Sequence, residues 1–296
     1  MDFDGITKTL FWGSESIMNY AETIHPLIIE SDQLIKKIFF ELAPLYKEEF
    51  PHGQDVTVPL FTVLHSTSES ILILLLNGAI YESDILLRTV MEGTIKYCYL
   101  MCGSTDVRAQ RYREYKDELT EIDKLLDHRK ALEAIEILKE FSNNSLKPFE
   151  ISILNNETVA ELEAKYPNRK RNDLKQKWSY GHILRELAKD NKEYEGQLAT
   201  LSSYSLMSHF CHFDWTGVSD RNAQIISAAR GDETLDIGHA LRILSNTLSC
   251  YLFRVAEYMR GNSYSTPILL KTTMDIYHLV EKIDKQQNEL IEQEMG

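Results

Sequence analysis

Residues 79–102 read AIYESDILLRTVMEGTIKYCYLMC, and the reading of this stretch decides the fold class. Ile85, Leu86, Leu87, Val90, Met91, Ile95, Tyr97, Cys98, Tyr99 and Leu100 leave no clean solvent face on a helix drawn through them. A helix apolar all round is one that neighbours pack on every side, so it is predicted to be central in a multi-helix assembly. Asn77-Gly78 before it and Gly103-Ser104 after it supply the stops.

Towards the N-terminus, Pro59 fits the first turn of a helix in which Leu60, Leu64, Ile71, Leu74 and Leu75 recur at helical spacing. Upstream of the loop at 51–55, one helix is expected from about Ser14 to Pro26 and another from there to about Phe50. Proline lacks the donor N–H and clashes with the preceding turn, so Pro26 and Pro44 are read as breaks or bends.

Towards the C-terminus, residues 106–140 form a heavily charged helix with a narrow stripe of Leu119, Ile122, Leu125, Leu126, Leu132, Ile135 and Leu138. Residues 142–178 read as irregular, because Asn143-Asn144-Ser145, Pro148 and Asn155-Asn156 carry turn chemistry. A short helix follows over 179–189. Residues 197–213 contain no Lys, Arg, Asp or Glu and are predicted to form a second buried helix, closed by Asp214-Trp215-Thr216-Gly217. After a loop, residues 232–259 make a helix with a charge-free middle at 243–253, and Pro267 opens a terminal helix carrying Ile276, Val280, Ile283 and Leu290. The fold expected is all-α, a multi-helix bundle with two central, nearly charge-free helices. Its divisions are an N-terminal half at 1–141, an irregular basic connector at 142–178, a C-terminal half at 179–262 sharing the core, and a terminal amphipathic helix at 263–296.

Composition agrees. Of 296 residues 43% are hydrophobic, enough for a sizeable core, while only 13 glycines and seven prolines interrupt the chain. The net charge of −13 excludes a surface that is basic overall, so RNA would need a local basic patch. No basic segment followed by an apolar one opens the sequence, the longest unbroken apolar runs fall short of the ~20 residues of a membrane span, and four cysteines make no disulfide framework. A cytoplasmic protein without membrane contact is expected.

Three constellations carry chemistry. Arg88 and Glu92, four residues apart on the central helix, share a face and can pair; desolvating either alone costs several kcal/mol, so a partnered polar cluster is implied. Ser205 and His209 share a face of the later helix, and His212 follows three residues on. Histidine titrates near neutrality, which suits general acid–base work or a metal, and equally a hydrogen-bonded core position. Cys98 and Cys102 would complete a zinc site with His209, Cys211 or His212 only if the two helices met there. A di-iron bundle needs two Glu-x-x-His motifs, and only Glu22–His25 has that spacing. No metal and no cofactor are therefore assigned. Lastly, Lys165, Arg169, Lys170, Arg171, Lys175 and Lys177, interleaved with Tyr166 and Trp178, read either as a solvated connector or as a site for RNA phosphates and bases. Nucleotide-binding, Gly-x-Ser-x-Gly and His-Glu-x-x-His patterns are absent from the sequence.

Leu87-Arg88-Thr89-Val90-Met91-Glu92 and Tyr204-Ser205-Leu206-Met207-Ser208-His209, with Trp178 as lead-in, resemble a family of helical bacterial proteins known only as a domain of unknown function. The likeness runs from about Leu27 to Met259. More remotely, a late helix bearing a histidine looks like HEPN-domain ribonucleases, helical bundles that cut RNA without metal through an Arg-x4–6-His motif. Here the arginine positions hold Ser202, Ser203 and Tyr204, so Arg88 would have to supply the cation. Two functions are thus expected. One is association, with itself or another protein, in a stress or phage-defence system, around a cluster of Arg88, Glu92, Tyr204, Ser205 and His209. The other is a metal-independent endoribonuclease with His209 as acid–base, Arg88 on the developing charge, and the basic patch on RNA.

Overall fold

The structure, a computed structural model, describes residues 16–43, 54–139, 146–212, 214–229 and 233–295. It is all-helical over these residues, which divide into two compact units, one of the described residues within 1–102 and 187–296 and the other of those within 103–186.

The larger unit begins with α1 (Ser16–Leu42), α2 (Gln54–Leu76) and α3 (Ile80–Met101). α1 and α2 run antiparallel: the Tyr20 hydroxyl donates to the Leu75 carbonyl (2.7 Å), and Phe39 stacks on His65 with ring centres 4.0 Å apart. Gly78, at φ 72°, makes the turn between α2 and α3 that a residue with a Cβ resists, and the N–H groups of Gly78 and Ala79 close on the carbonyls of Leu75 and Leu74. The stop expected at Asn77-Gly78 is therefore there, as is the one at Gly103, with φ 98°.

The rest of this unit holds α10 (Lys192–Gln197), α11 (Thr200–His212), α12 (Trp215–Ala229), α13 (Thr234–Asn262) and α14 (Pro267–Met295). α13 touches α1, α2, α3 and α14. Its Ile243, Leu244, Leu248, Tyr251 and Val255 are wholly sealed from solvent. α3 runs parallel to it, tied by Asp84 to Arg242 at one end and by Cys102 to Glu257 at the other. α14 packs on α13 and buries Leu269, Ile276, Leu279 and Ile283, all four of which fall on one 3.5-residue repeat.

The smaller unit is built from α4 (Thr105–Arg113), a π-helical segment at Glu114–Glu118, α5 (Leu119–Leu138), α6 (Lys147–Glu150), α7 (Asn156–Lys165) and α8 (Asn168–Lys177). Ile122, Leu125, His128 and Ala131 form the buried stripe of α5, so the stripe is as narrow as the charge pattern implied; Leu132, expected within it, is exposed. α9 (Tyr180–Asp190) carries the chain from 180 to 190.

The all-α bundle expected from the sequence is found, with four local corrections. Pro26 lies inside one continuous α1 rather than between two helices. The stretch 146–178 is mostly helical, because residues read as turns open helices instead: Asn155 accepts a hydrogen bond from the Thr158 N–H (2.8 Å) and caps α7, and Pro167 precedes α8. The loop expected after Gly217 is α12. The helix read as a second buried one, α11, lies at the rim, with only Met207 and Phe210 buried. The partner that α3 has in the core is α13. Pro44, the expected helix end at Phe50, the loop at 51–53 and Asn143-Asn144-Ser145 lie outside the described residues.

Among the described residues Val56–Leu76 is the one helix long and apolar enough to cross a membrane, at a mean hydropathy of 1.5. It packs against α1, α3 and α13 and buries His65 and Ser68.

Candidate functional site

α11 lies along α3 in the antiparallel sense. At one end the Tyr81 hydroxyl donates to the Phe210 carbonyl (2.9 Å), and the two rings meet at 5.2 Å. At the other, the Tyr204 hydroxyl donates to Glu92 Oε2 (2.9 Å) while the Arg88 guanidinium sits 4.7 Å from the centre of the Tyr204 ring. Lys96, one turn beyond Glu92, completes the cluster at 2.7 Å. The helical spacing put Arg88, Glu92 and Lys96 on one stripe of α3, and Tyr204 is the group from α11 that closes over it. Three of the five residues expected to gather therefore do so.

The electrostatics follow from half-burial. Burial pushes the Glu92 carboxyl up, but the bonds from Lys96 and Tyr204 outweigh it and hold the group below the usual carboxylate range. Tyr204 is pushed up to about 12, by burial first and then by the charge it bonds. Among the described residues the buried Arg88 Nε has no hydrogen-bond partner, so the guanidinium is held by the ring face and by the nearby Glu92 charge. Glu92 keeps 31% of its side chain in solvent, so this is a clasp at a helix–helix edge and not a sealed core.

Ser205 and His209 fall outside the clasp. Ser205 is exposed. His209 lies five residues beyond Tyr204, about 140° around the helix, and turns to Asp214, with Nδ1 2.5 Å from Oδ2. The other Asp214 oxygen accepts the Gly217 N–H (3.2 Å) and caps α12, and these bonds hold the Asp214 carboxyl below its usual range. The corner is tight: a Cβ on Gly217 would stand 2.5 Å from the His209 carbonyl oxygen. Both members of the His209–Asp214 pair are more than two-fifths exposed. Arg221 of α12 places its guanidinium 5.0 Å from the centre of the Tyr81 ring, one ring away from Phe210.

The cysteines are elsewhere. His209, Cys211 and His212 lie at the Tyr81–Phe210 end of the contact between α3 and α11, whereas Cys98 and Cys102 lie about five turns further along, at and just past the end of α3. Among the described residues no group of three or more His, Cys, Asp and Glu side chains is placed to hold a metal ion.

The basic residues of α7 and α8 mostly face carboxylates. Lys165 pairs with Glu121 (2.6 Å), Lys175 with Asp123 (3.6 Å), Lys177 with Glu114 (2.7 Å) and Arg169 with Asp173 (3.9 Å). Arg171 is buried and bonds Asn168, and Lys170 lies 4.8 Å from the Tyr166 ring centre. Tyr166 and Trp178, the interleaved aromatics, are themselves buried. Trp178 Nε1 donates to Glu114 Oε2 (3.1 Å), a carboxylate turned inward at the start of the π-helical segment.

Sequence reading missed two deeply buried charges, Arg254 and Glu257. Arg254 is fully enclosed; its Nη1 donates to Thr94 (2.8 Å), its Nη2 to Ser68 (3.2 Å), and the guanidinium lies 4.9 Å from the Tyr251 ring centre. One turn later the buried Glu257 accepts from Tyr194 (2.8 Å), Cys102 (3.3 Å) and Arg260. A residue pair of opposite charge just past a charge-free run is the signal that marked them.

Residues 54–224, more than half of the chain, match a family of unknown function, DUF5677. The chain belongs to that family. The DUF5677 match bears out the likeness to a family without assigned activity, over a shorter span than Leu27 to Met259, and includes both the α3 and the α11 motifs. No curated protein and no solved structure matches this DUF5677 chain.

Proposed function

We propose that the chain acts by association, as a helical module that binds protein, in a bacterial stress-response or phage-defence setting. One observation carries the reading: the polar residues of the candidate site are bound to one another instead of converging on a ligand. Arg88 lies on Tyr204, Tyr204 bonds Glu92, Glu92 holds Lys96, and His209 faces Asp214 on another side of α11. Among the described residues no hydrogen bond, ion pair or ring contact joins His209 to Arg88, whereas phosphodiester cleavage needs an acid–base and a cation at one phosphate. Burial of Tyr166 and Trp178 removes the stacking surface that bases would use. The cellular setting rests on the resemblance to bacterial helical effectors alone.

A second reading, a metal-independent endoribonuclease, is favoured by the His209–Asp214 pair. A carboxylate on Nδ1 orients an imidazole so that Nε2 can exchange a proton, which is how a general acid–base is held. In this reading Arg221, beside Tyr81, takes the place of Arg88 as the cation. The test is to induce the full chain and its His209→Ala variant in cells and to follow growth and RNA integrity. Intact RNA and equal growth support association. RNA breakage that His209→Ala abolishes would overturn it in favour of the nuclease.

A further inference from the structure

α2 presents an unusual outer face. From residue 59 to residue 77 the chain carries one acidic residue, Glu69, and no lysine or arginine. Pro59, Thr62, Val63, Ser66, Ile73 and Leu76 stand exposed along it, in a molecule whose net charge is −13. Three hydroxyls on the outer side of this helix are bonded within it. Thr62, Thr67 and Ser70 each donate to the carbonyl four residues back, at 2.9, 2.9 and 3.0 Å, so drying the face leaves them bonded. Beside this face, α1 and α2 leave a groove of about 410 Å³, lined by the apolar Ile28, Ile29, Leu72, Ile73 and Leu76 and by the charged Asp32, Lys36 and Glu69. At its far side Lys36 is held by Asp32 (2.8 Å) and Glu69 (3.7 Å). Phe40, one turn beyond Lys36 on the same side of α1, projects with 68% of its surface exposed.

A projecting ring and a groove on one face are what a two-fold interface requires, because each copy must offer both the knob and the hole. The charge distribution selects the occupant. Two copies of a strongly acidic chain repel wherever acidic surfaces approach, and this strip, whose carboxylates Asp32 and Glu69 share Lys36, is where they can meet at little of that cost. We propose that the α1–α2 face binds a second copy of this chain, with Phe40 of each copy seated in the groove of the other. The inference rests on association as the mode of action. The two fail separately: the RNA assay decides that reading, and sedimentation decides the dimer.

The experiment is analytical ultracentrifugation of the full chain over a wide concentration range, beside Phe40→Glu, Ile73→Lys and the double variant. Both positions are exposed, so all four proteins should show the same helical circular dichroism and melting. A wild-type dimer is expected, with each single variant weakening it by roughly 30-fold or more, as for the loss of an interface anchor. The double variant sets a glutamate against a lysine across the two-fold axis and should recover most of the association. A wild-type chain that stays monomeric, or a dimer indifferent to both substitutions, overturns the proposal. Monomeric chain that sediments with phosphatidylcholine vesicles, and loses them on Phe40→Glu, overturns it in favour of a bilayer.

Discussion

Glu257 shows how much one side chain can hold when its surroundings are dry. It is 98% removed from solvent, and Tyr194, Cys102 and Arg260 all donate to it from α10, α3 and its own helix. Glu257→Ala leaves the buried Tyr194 hydroxyl without this acceptor and Arg260 with Glu193 alone, and should cost about 1–3 kcal/mol of unfolding free energy in a denaturant titration. His65 is a second case. Enclosed against Phe39 and Tyr251 and near the Arg254 charge, it is pushed down to about 4, by burial first and then by that cation. A base whose folded pKa lies below its unfolded value stabilises the fold above the unfolded value and loses that contribution as pH falls. The window is therefore from about 6.5 down to about 4, and the loss at its lower end is on the order of 3 kcal/mol. Urea unfolding at neutral pH and near pH 5 should show the drop in the wild type and a flatter profile in His65→Gln.

Elements were legible where their polar residues said what their apolar ones did. α3 was read correctly because a run without a solvent face can only be packed on all sides, and Gly78 and Gly103 mark its ends. α11 was misplaced because absence of Lys, Arg, Asp and Glu was equated with burial. Ser205 and His212 are polar and comfortable in water, so they set the helix at the rim. In 146–178 the same residue types that make turns also cap helices, and nothing in the sequence says which until the following turn is packed. Arg88, Glu92 and His209 were found from spacing alone. Asp214, which turns His209 away, follows the end of α11, where spacing along one helix gives no direction. The α11–α12 corner also has a test. Gly217→Ala brings a Cβ against the backbone of His209 and should cost about 1–3 kcal/mol, as overpacking does, with faster hydrogen exchange in 200–229 than in α13.

At the scale of the whole chain, the two compact units answer acid differently. In the unit of 103–186, Glu114 and Glu121 are anchors. Burial pushes Glu114 up, but Lys177, Gln110 and Trp178 outweigh it, and Lys165 and Tyr166 lower Glu121. Carboxyls lowered in the fold stabilise it above their ordinary value of 4.5, and that contribution goes as pH falls through the folded values. The unit containing His65 starts to weaken already below about 6.5. Acidification should therefore loosen 16–102 and 187–295 before 103–186, an order that hydrogen exchange resolved by helix can read. The reverse order would mean that His65 is not neutral in the fold.

The π-helical turn at Glu114–Glu118 has a consequence of its own. Such a turn is an α-helix that has taken in one residue more than its repeat requires. The surplus is taken up inside the turn itself: its wider winding holds one residue more, so Thr105–Arg113 and α5 stay nearly in phase while Glu114, at its head, faces Trp178 and Lys177. Removing a single residue from this turn would restore an unbroken α-helix and turn Thr105–Arg113 little about the axis. Helicity would hardly change, yet the widened turn that presents the carboxylate to Gln110, Lys177 and Trp178 would be gone. In this helix, length is a coordinate of the structure as much as residue identity is.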